Sequence, residues 1–418
     1  MSKRKQISLI LLCWALYLTS YIAKYSYTAN INPIMGFYSV SKSEAGFIGT
    51  LFFLAYGAGQ IVNGLLCKFY NRKYVIAGAM IISGLINGVI FFQPSFFYIK
   101  ILWLINGIAQ SILWSSLMLT LSENLDDALI NKAVFAMSTT VPIGTCIAYG
   151  GSALFLRFLG SIGYRFSFLL GAIMALLVGL FWLFLYSSLT KKDTKTNAIV
   201  SVKEDALEEK PKKEALGFTF ILFFISLCLF AIIVNFVKDG INTWFPTIIK
   251  ETFNLDNSLS VLLTIILPVF GVFGSTLAIS VNKKIKDFVI LSGVFFFAIS
   301  IIIVAVLILF SLKTTSMVVC VVVLVCFGII ACVMYGQNNV ITSIAPFSFR
   351  KKMNSGMVSG ILNGFCYLGS TLATYLFGLI AENSSWNTVF IVLLCLTLVP
   401  VIYSVVYGLV KIIRKNKV

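Results

Sequence analysis

Two lysines stand where a charge needs a reason. Lys24 closes the stretch WALYLTSYIAK (residues 14–24) after residues 7–23, which carry no charge. Lys238 follows a second uncharged apolar run in CLFAIIVNFVKDGINTWFP. A lysine at the centre of a membrane helix costs about 2.5 to 3.5 kcal/mol, a cost borne by residues that face an internal polar cavity. Tyr17 and Tyr21 precede Lys24 at i−7 and i−3 and share its helical face, making a stripe of two hydroxyls and one cation. Two such cations are suited to capturing an anion. The competing reading is a pair of lysines that snorkel to the headgroups from helix ends.

The two lysines lie 214 positions apart, and a second pair of stretches aligns at that offset without a gap. YGAGQIVNGLLCKFYNRKYVI (residues 56–76) falls over FGVFGSTLAISVNKKIKDFVI (residues 270–290), with aromatic-Gly starts, basic centres and Val-Ile ends coinciding. Late in each half, at the nearby offset of 218, Tyr149-Gly150-Gly151-Ser152 answers Tyr367-Leu368-Gly369-Ser370. The repeats point to two halves of one design, with one buried lysine in each.

The composition sets the surroundings. At 59% hydrophobic and 11% charged residues, the 418-residue chain has too little polar surface for a water-soluble protein and reads as an all-α membrane protein. Twelve apolar segments are marked at about 7–29, 43–66, 74–93, 97–122, 131–157, 163–187, 217–237, 257–281, 287–311, 315–344, 353–380 and 386–410, each of spanning length. Residues 189–216 break the rhythm with seven lysines, six carboxylates and Pro211, and read as a linker between six-span bundles at 1–188 and 217–418. Three-quarters of the 32 Lys and Arg fall on the side of both termini, which predicts cytoplasmic termini in the cell membrane, with the basic ends against anionic headgroups. The net charge of +17 is therefore a topology signal and no nucleic-acid partner is expected. Histidine is absent, so no histidine base, relay or metal ligand exists. The nine cysteines sit almost all in apolar runs without CxxC spacing and read as small core residues. With no nucleophile–base set, metal cluster or phosphate loop, no enzyme, metal or cofactor is expected.

Gly64-Leu-Leu-Cys-Lys68-Phe69-Tyr-Asn71-Arg72-Lys73 resembles the loop signature G-x-x-x-D-R-x-G-R-R of the major facilitator superfamily, with Lys68 for Asp, Phe69 for Arg and Asn71 for the second Gly. Tyr17-x-x-x-Tyr21-x-x-Lys24 resembles the first-helix motif of the organophosphate:phosphate antiporter family, whose tyrosines lead to a phosphate-binding Arg. Lys238-Asp239-Gly240-x-x-x-Trp244-x-Pro246-Thr247-x-x-x-Glu251 resembles that family's seventh-helix motif, Arg-Tyr-Gly-x-x-x-Trp-x-Pro-Thr-x-x-x-Glu. Tyr56-Gly57-x-x-Gln60 and Gln110-x-x-x-Trp114 fall where the glycerol-3-phosphate branch has Tyr-Gly-x-x-Lys and Gln-x-x-x-Trp, and Tyr335 and Tyr367 are similar to its tenth- and eleventh-helix tyrosines.

The resemblance implies twelve helices in two pseudo-symmetric six-helix bundles, a substrate between them and alternating access by rocking. It assigns substrate binding to Lys24, Lys238, Tyr17, Tyr21, Tyr56, Gln60, Trp114, Tyr335 and Tyr367. It also implies a sugar phosphate or glycerol phosphate as substrate, inorganic phosphate as counter-substrate, and a monomer in the bilayer. Lysines here replace the family's arginines, Gln60 replaces a lysine and Val141 stands near a histidine of the glycerol-3-phosphate branch. Arginine pairs two phosphate oxygens through a planar fork, whereas lysine is a compact charge, so a sugar-acid carboxylate also suits two ammonium groups. Proton coupling and ligand sensing are the other readings. For proton coupling Asp239 is the one intramembrane carboxylate, expected to face the outer mouth or cap a helix break before Gly240 and Pro246.

Overall fold

The computed structural model describes residues 2–190, 218–348 and 355–415, and among them every regular element is helical. Eleven stretches are long and apolar enough to cross a membrane, and one of these, Ala128–Leu189, bends at residues 160–163 into two membrane-length helices. The twelve rods are α1 (Lys3–Ala29), α2 (Lys42–Leu66), α3 (Arg72–Phe91), α4 (Phe96–Asn124), α5 (Asp127–Leu159), α6 (Tyr164–Leu189), α7 (Phe218–Phe253), α8 (Asn257–Lys284), α9 (Phe288–Ser311), α10 (Met317–Ile344), α11 (Ser355–Asn383) and α12 (Trp386–Lys415). Helices are the only open-ended answer for such segments, because each backbone N–H and C=O must find its partner inside the segment when water is absent. Short polar side chains set where several begin. Ser41 and Glu44 form a reciprocal capping box at α2, Asp256 accepts from Leu259 N at 2.8 Å before α8, and Asp287 accepts from Val289 N at 3.0 Å before α9. Gly160, at φ +63°, turns the chain between α5 and α6.

Six helices form each half. The outer surface is apolar, with Phe92, Phe158, Phe184 and Val318 exposed, while Asn87, Asn106, Gln110 and Gln337 are buried. That inversion suits a lipid solvent, where buried amides tie helices together. The same joint recurs in both halves: Gln110 Nε2 on α4 donates to Ser83 Oγ on α3 at 2.9 Å, and Gln337 Nε2 on α10 donates to Ser292 Oγ on α9 at 2.6 Å.

Polar contacts between the halves cluster at the end away from the termini. Thr247 Oγ1 donates to Asn32 Oδ1 at 2.7 Å, Ser258 Oγ to the Ala153 carbonyl at 2.8 Å, and Thr50 Oγ1 to the Thr371 carbonyl at 2.7 Å. Lys42 pairs with Glu251 at 3.0 Å, and Ser43 N donates to Glu382 Oε2 at 2.9 Å. Here α2 and α11 approach so closely that a Cβ on Gly46 would lie 2.2 Å from the Thr374 carbonyl oxygen, a contact only glycine avoids.

Two expectations need correction. The seventh span does not stop at residue 237: α7 runs to Phe253, because residues 239–249 are buried and Asp239, Asn242 and Thr247 find partners within the protein. Nor does it break at Gly240 or Pro246. Proline has no N–H to give the carbonyl four residues back, and that carbonyl, Asn242 O, accepts instead from Tyr149 OH of the other half at 3.2 Å. The expected linker at 189–216 lies outside the described residues from 191 onward.

Candidate functional site

The residues at 235, 238, 239 and 242 of α7 lie at i, i+3, i+4 and i+7, so Asn235, Lys238, Asp239 and Asn242 form one polar stripe turned toward the interface. Lys238 Nζ donates to Asn235 Oδ1 at 2.6 Å, lies 3.6 Å from Asp239 Oδ1 and sits over the Tyr335 ring, 5.5 Å from its centroid. The second oxygen of Asp239 accepts from the Ser370 hydroxyl of α11. Asn235 Nδ2 reaches Asn338 Oδ1 at 2.9 Å, and Asn242 Nδ2 reaches Tyr335 OH at 3.3 Å, fastening the stripe to α10. Asp239 is thus buried at the centre of the interface, not at an outer mouth or a helix break. A lysine side chain is long enough to reach the carboxylate although adjacent helical residues leave the axis about 100° apart.

Lys24 has a different socket. Its ammonium lies 4.8 Å from the Phe53 ring centroid, 5.1 Å from Phe52, 5.2 Å from Tyr56 and 5.7 Å from both Tyr21 and Tyr25. Among the described residues it makes no hydrogen bond and no ion pair. Rings attract a cation through their quadrupoles, about 0.5 to 2 kcal/mol each by degree of desolvation, but they do not cancel its charge. Lys24, Asp239 and Asn242 line one small cavity whose free space is of water size.

The remaining expected residues gather around the same interface. Tyr17 and Tyr21 hydroxyls lie 3.4 Å apart, and the Tyr17 ring packs on Trp114 with centroids 5.0 Å apart. Gln60 Nε2 donates to Tyr56 OH at 3.0 Å, and Tyr56 meets Tyr367 of the other half edge-on at 5.1 Å. Of the nine residues named from sequence, Tyr56 and Tyr367 meet across the seam, Tyr21 and Tyr335 lie against the two ammonium groups of Lys24 and Lys238, and Gln60 and Trp114 join through Tyr56 and Tyr17. Missing from that set were Phe52, Phe53 and Tyr25 of the cage, and Asn235, Ser370 and Asp239 around Lys238. Asn235 carried a signal in its i, i+3, i+4 spacing to the lysine and carboxylate. The cage rings at Phe52 and Phe53 come from another helix, where their i−4 and i−3 spacing to Tyr56 was the available signal.

Two six-helix halves, apolar outside and meeting at a charged, aromatic-lined seam, define a polytopic carrier fold. The family model described as Major Facilitator Superfamily matches residues 13–355, and the chain belongs to that family. Among curated proteins it is similar to the membrane sensor protein UhpC of Escherichia coli (strain K12), 24% identical over 92% of this chain and 88% of the relative. It is also similar to a probable hexose phosphate transport protein of Chlamydia muridarum, 23% identical over 93% of this chain and 87% of the relative. These relatives agree with the likeness to the organophosphate:phosphate antiporters. In fold it is similar to a bacterial homologue of the human lysosomal transporter Spinster, inward-facing and occupied (TM-score 0.76, 15% identical, covering 98% of both chains), and to a D-xylose–proton symporter (TM-score 0.74, 16% identical, covering 96% and 97%).

Proposed function

We propose that the protein carries a small organic anion, a sugar phosphate or glycerol phosphate, across the cell membrane by rocking its two halves, in exchange for inorganic phosphate. The observation that carries this reading is Lys24, a cation at the seam with no anionic partner among the described residues. A phosphate placed between Lys24 and Lys238 bridges the two halves and offsets the repulsion between their charges. Tyr17, Tyr21, Gln60 and Trp114 offer hydroxyl, amide and ring contacts to the organic part, and Tyr56, Tyr335 and Tyr367 close around it. The positive-inside bias supports cytoplasmic termini, with the end closed by the contacts between the halves facing outward. The protein works as a monomer and performs no chemistry on its substrate.

The test is counterflow into proteoliposomes preloaded with phosphate, offering sugar phosphates, glycerol phosphates and sugar acids. Uptake of a phosphate ester supports the reading, and uptake of sugar acids alone replaces it with a carboxylate carrier. Uptake of none, alongside an active control carrier, favours ligand sensing, a reading supported by the likeness to a membrane sensor protein. For topology, single cysteines placed beside Lys250 and within 189–216 are expected to label from opposite faces, and labelling from one face contradicts the assignment.

A further inference from the structure

We infer that Asp239 is a built-in counter-anion, holding in the empty protein the place that a substrate's charge takes between Lys24 and Lys238, so that the empty form reorients and transport is net as well as by exchange. This rests on the anion-carrier reading above and adds a mode to it.

The carboxylate is buried in mid-helix, paired with Lys238 at 3.6 Å, and lines the same small cavity as Lys24. The charged and titratable groups facing it are Lys238 on its own helix, then Lys24, Tyr21 and Tyr25 from α1. From α10 comes Tyr335, and from α11 come Cys366 and Tyr367. Among these the two lysines are the cationic side chains, one from each half, and the carboxylate is paired with one of them.

Its attachments suit a placeholder. Asp239 takes its hydrogen bond from Ser370 on α11, while the short bond of Lys238 goes to Asn235 at 2.6 Å. The ammonium is therefore able to leave the carboxylate for a bound anion while both groups keep a hydrogen-bonded partner. With Asp239 ionised, the empty centre holds one net positive charge, and a bound dianion turns it into one net negative charge. Without Asp239 the empty centre holds two positive charges facing each other across the seam, and repulsion at low dielectric opposes closing the halves. The scaffold does not demand a carboxylate here, since the pseudo-equivalent position, next to Lys24, is Tyr25.

The experiment loads proteoliposomes with radiolabelled inorganic phosphate and dilutes them into buffer with or without phosphate, giving exchange and net efflux rates. For the wild type the two rates are expected to agree within about threefold, and for Asp239→Asn, which keeps an oxygen acceptor for Ser370, the net-to-exchange ratio is expected to fall about tenfold or more. The double variant Lys238→Gln/Asp239→Asn restores the single net charge but lacks one phosphate ligand, so both of its rates are expected to fall while their ratio returns towards the wild-type value, a rescue that a structural role for Asp239 does not give. An unchanged ratio in Asp239→Asn overturns the inference, as does a double variant no better than the single one, including the case where both are inactive. Wild-type vesicles that move phosphate in neither mode sink phosphate exchange and this inference together. An active wild type with an unchanged Asp239→Asn ratio sinks this inference alone.

Discussion

The two lysines occupy equivalent places in the repeat but sit in unlike sockets. At the 214-residue offset, Tyr21 is answered by Asn235, Lys24 by Lys238, Tyr25 by Asp239 and Thr28 by Asn242. The N-terminal half surrounds its cation with ring faces, and the C-terminal half surrounds its own with amides and a carboxylate. Helix geometry differs in the same way. The N-terminal half breaks after α1 at Asn30 and continues as a short helix, Ile31–Tyr38, whereas α7 runs unbroken through the matching region despite Pro246. A repeated scaffold thus fixes where a charge stands without fixing what balances it. Lys24 is left as the free attractor for an anion, and Lys238 is a paired group that exchanges its partner. Equivalent positions in the repeat thus sit in unlike surroundings.

The largest expected effect is on stability at Lys238. Lys238→Gln leaves Asp239 buried without its cation and is expected to destabilise the fold by about 3 kcal/mol, whereas Lys24→Gln removes a desolvated charge that has no ion partner and is expected to cost nothing measurable. Thermal unfolding in detergent measures both, and Lys238→Gln/Asp239→Asn is expected to recover most of the loss. Equal stabilities for the two single variants break the comparison. The next effect sharpens it. A double-mutant cycle between Lys24→Gln and Phe53→Leu is expected to show a coupling of about 0.5 to 2 kcal/mol in the same unfolding measurement. The cycle between Lys238→Gln and Tyr335→Leu, where one ring faces a charge that is already paired, is expected to give less. A smaller effect belongs to the closed end. Tyr149→Phe strips the Asn242 carbonyl of its partner from the other half, and at about 1 kcal/mol per net hydrogen bond the closed form loses about fivefold in population. Labelling of a single cysteine at residue 247 reports this as faster modification; an unchanged rate removes the latch.

Much of the architecture was legible because hydrocarbon imposes it. Twelve apolar runs gave twelve helices, and the 214-residue offset gave two halves. The far end of α7 was not legible in hydropathy, which falls at Lys238 while the helix continues as buried interface to Phe253, although the seventh-helix motif through Glu251 pointed to it. The stripe of Tyr17, Tyr21 and Lys24 was visible from helical spacing alone. The pairing of Lys238 with Asp239 was left open by the sequence, since adjacent helical residues leave the axis about 100° apart while a lysine is long enough to reach sideways. Ser370 and Phe53 reach the lysines from other helices, and only their i±3 spacing to Tyr367 and Tyr56 hinted at them. Lys42 illustrates the same limit: its sequence context suggests an inert surface lysine, yet it closes the far end through Glu251 and lies 5.9 Å from the Trp386 ring centroid. The exposed Lys313 is the sounder control.

The most direct test of the account is phosphate exchange by Lys24→Gln, measured in proteoliposomes beside the wild type and Lys313→Gln. Removing the unneutralised cation is expected to cost about 2 kcal/mol or more of anion binding, a loss of about thirtyfold or greater in exchange at low phosphate, with Lys24→Arg retaining part of the activity and Lys313→Gln staying within about twofold of the wild type. Exchange by Lys24→Gln as fast as that of Lys313→Gln contradicts the account and makes Lys24 an anchor in its aromatic cage.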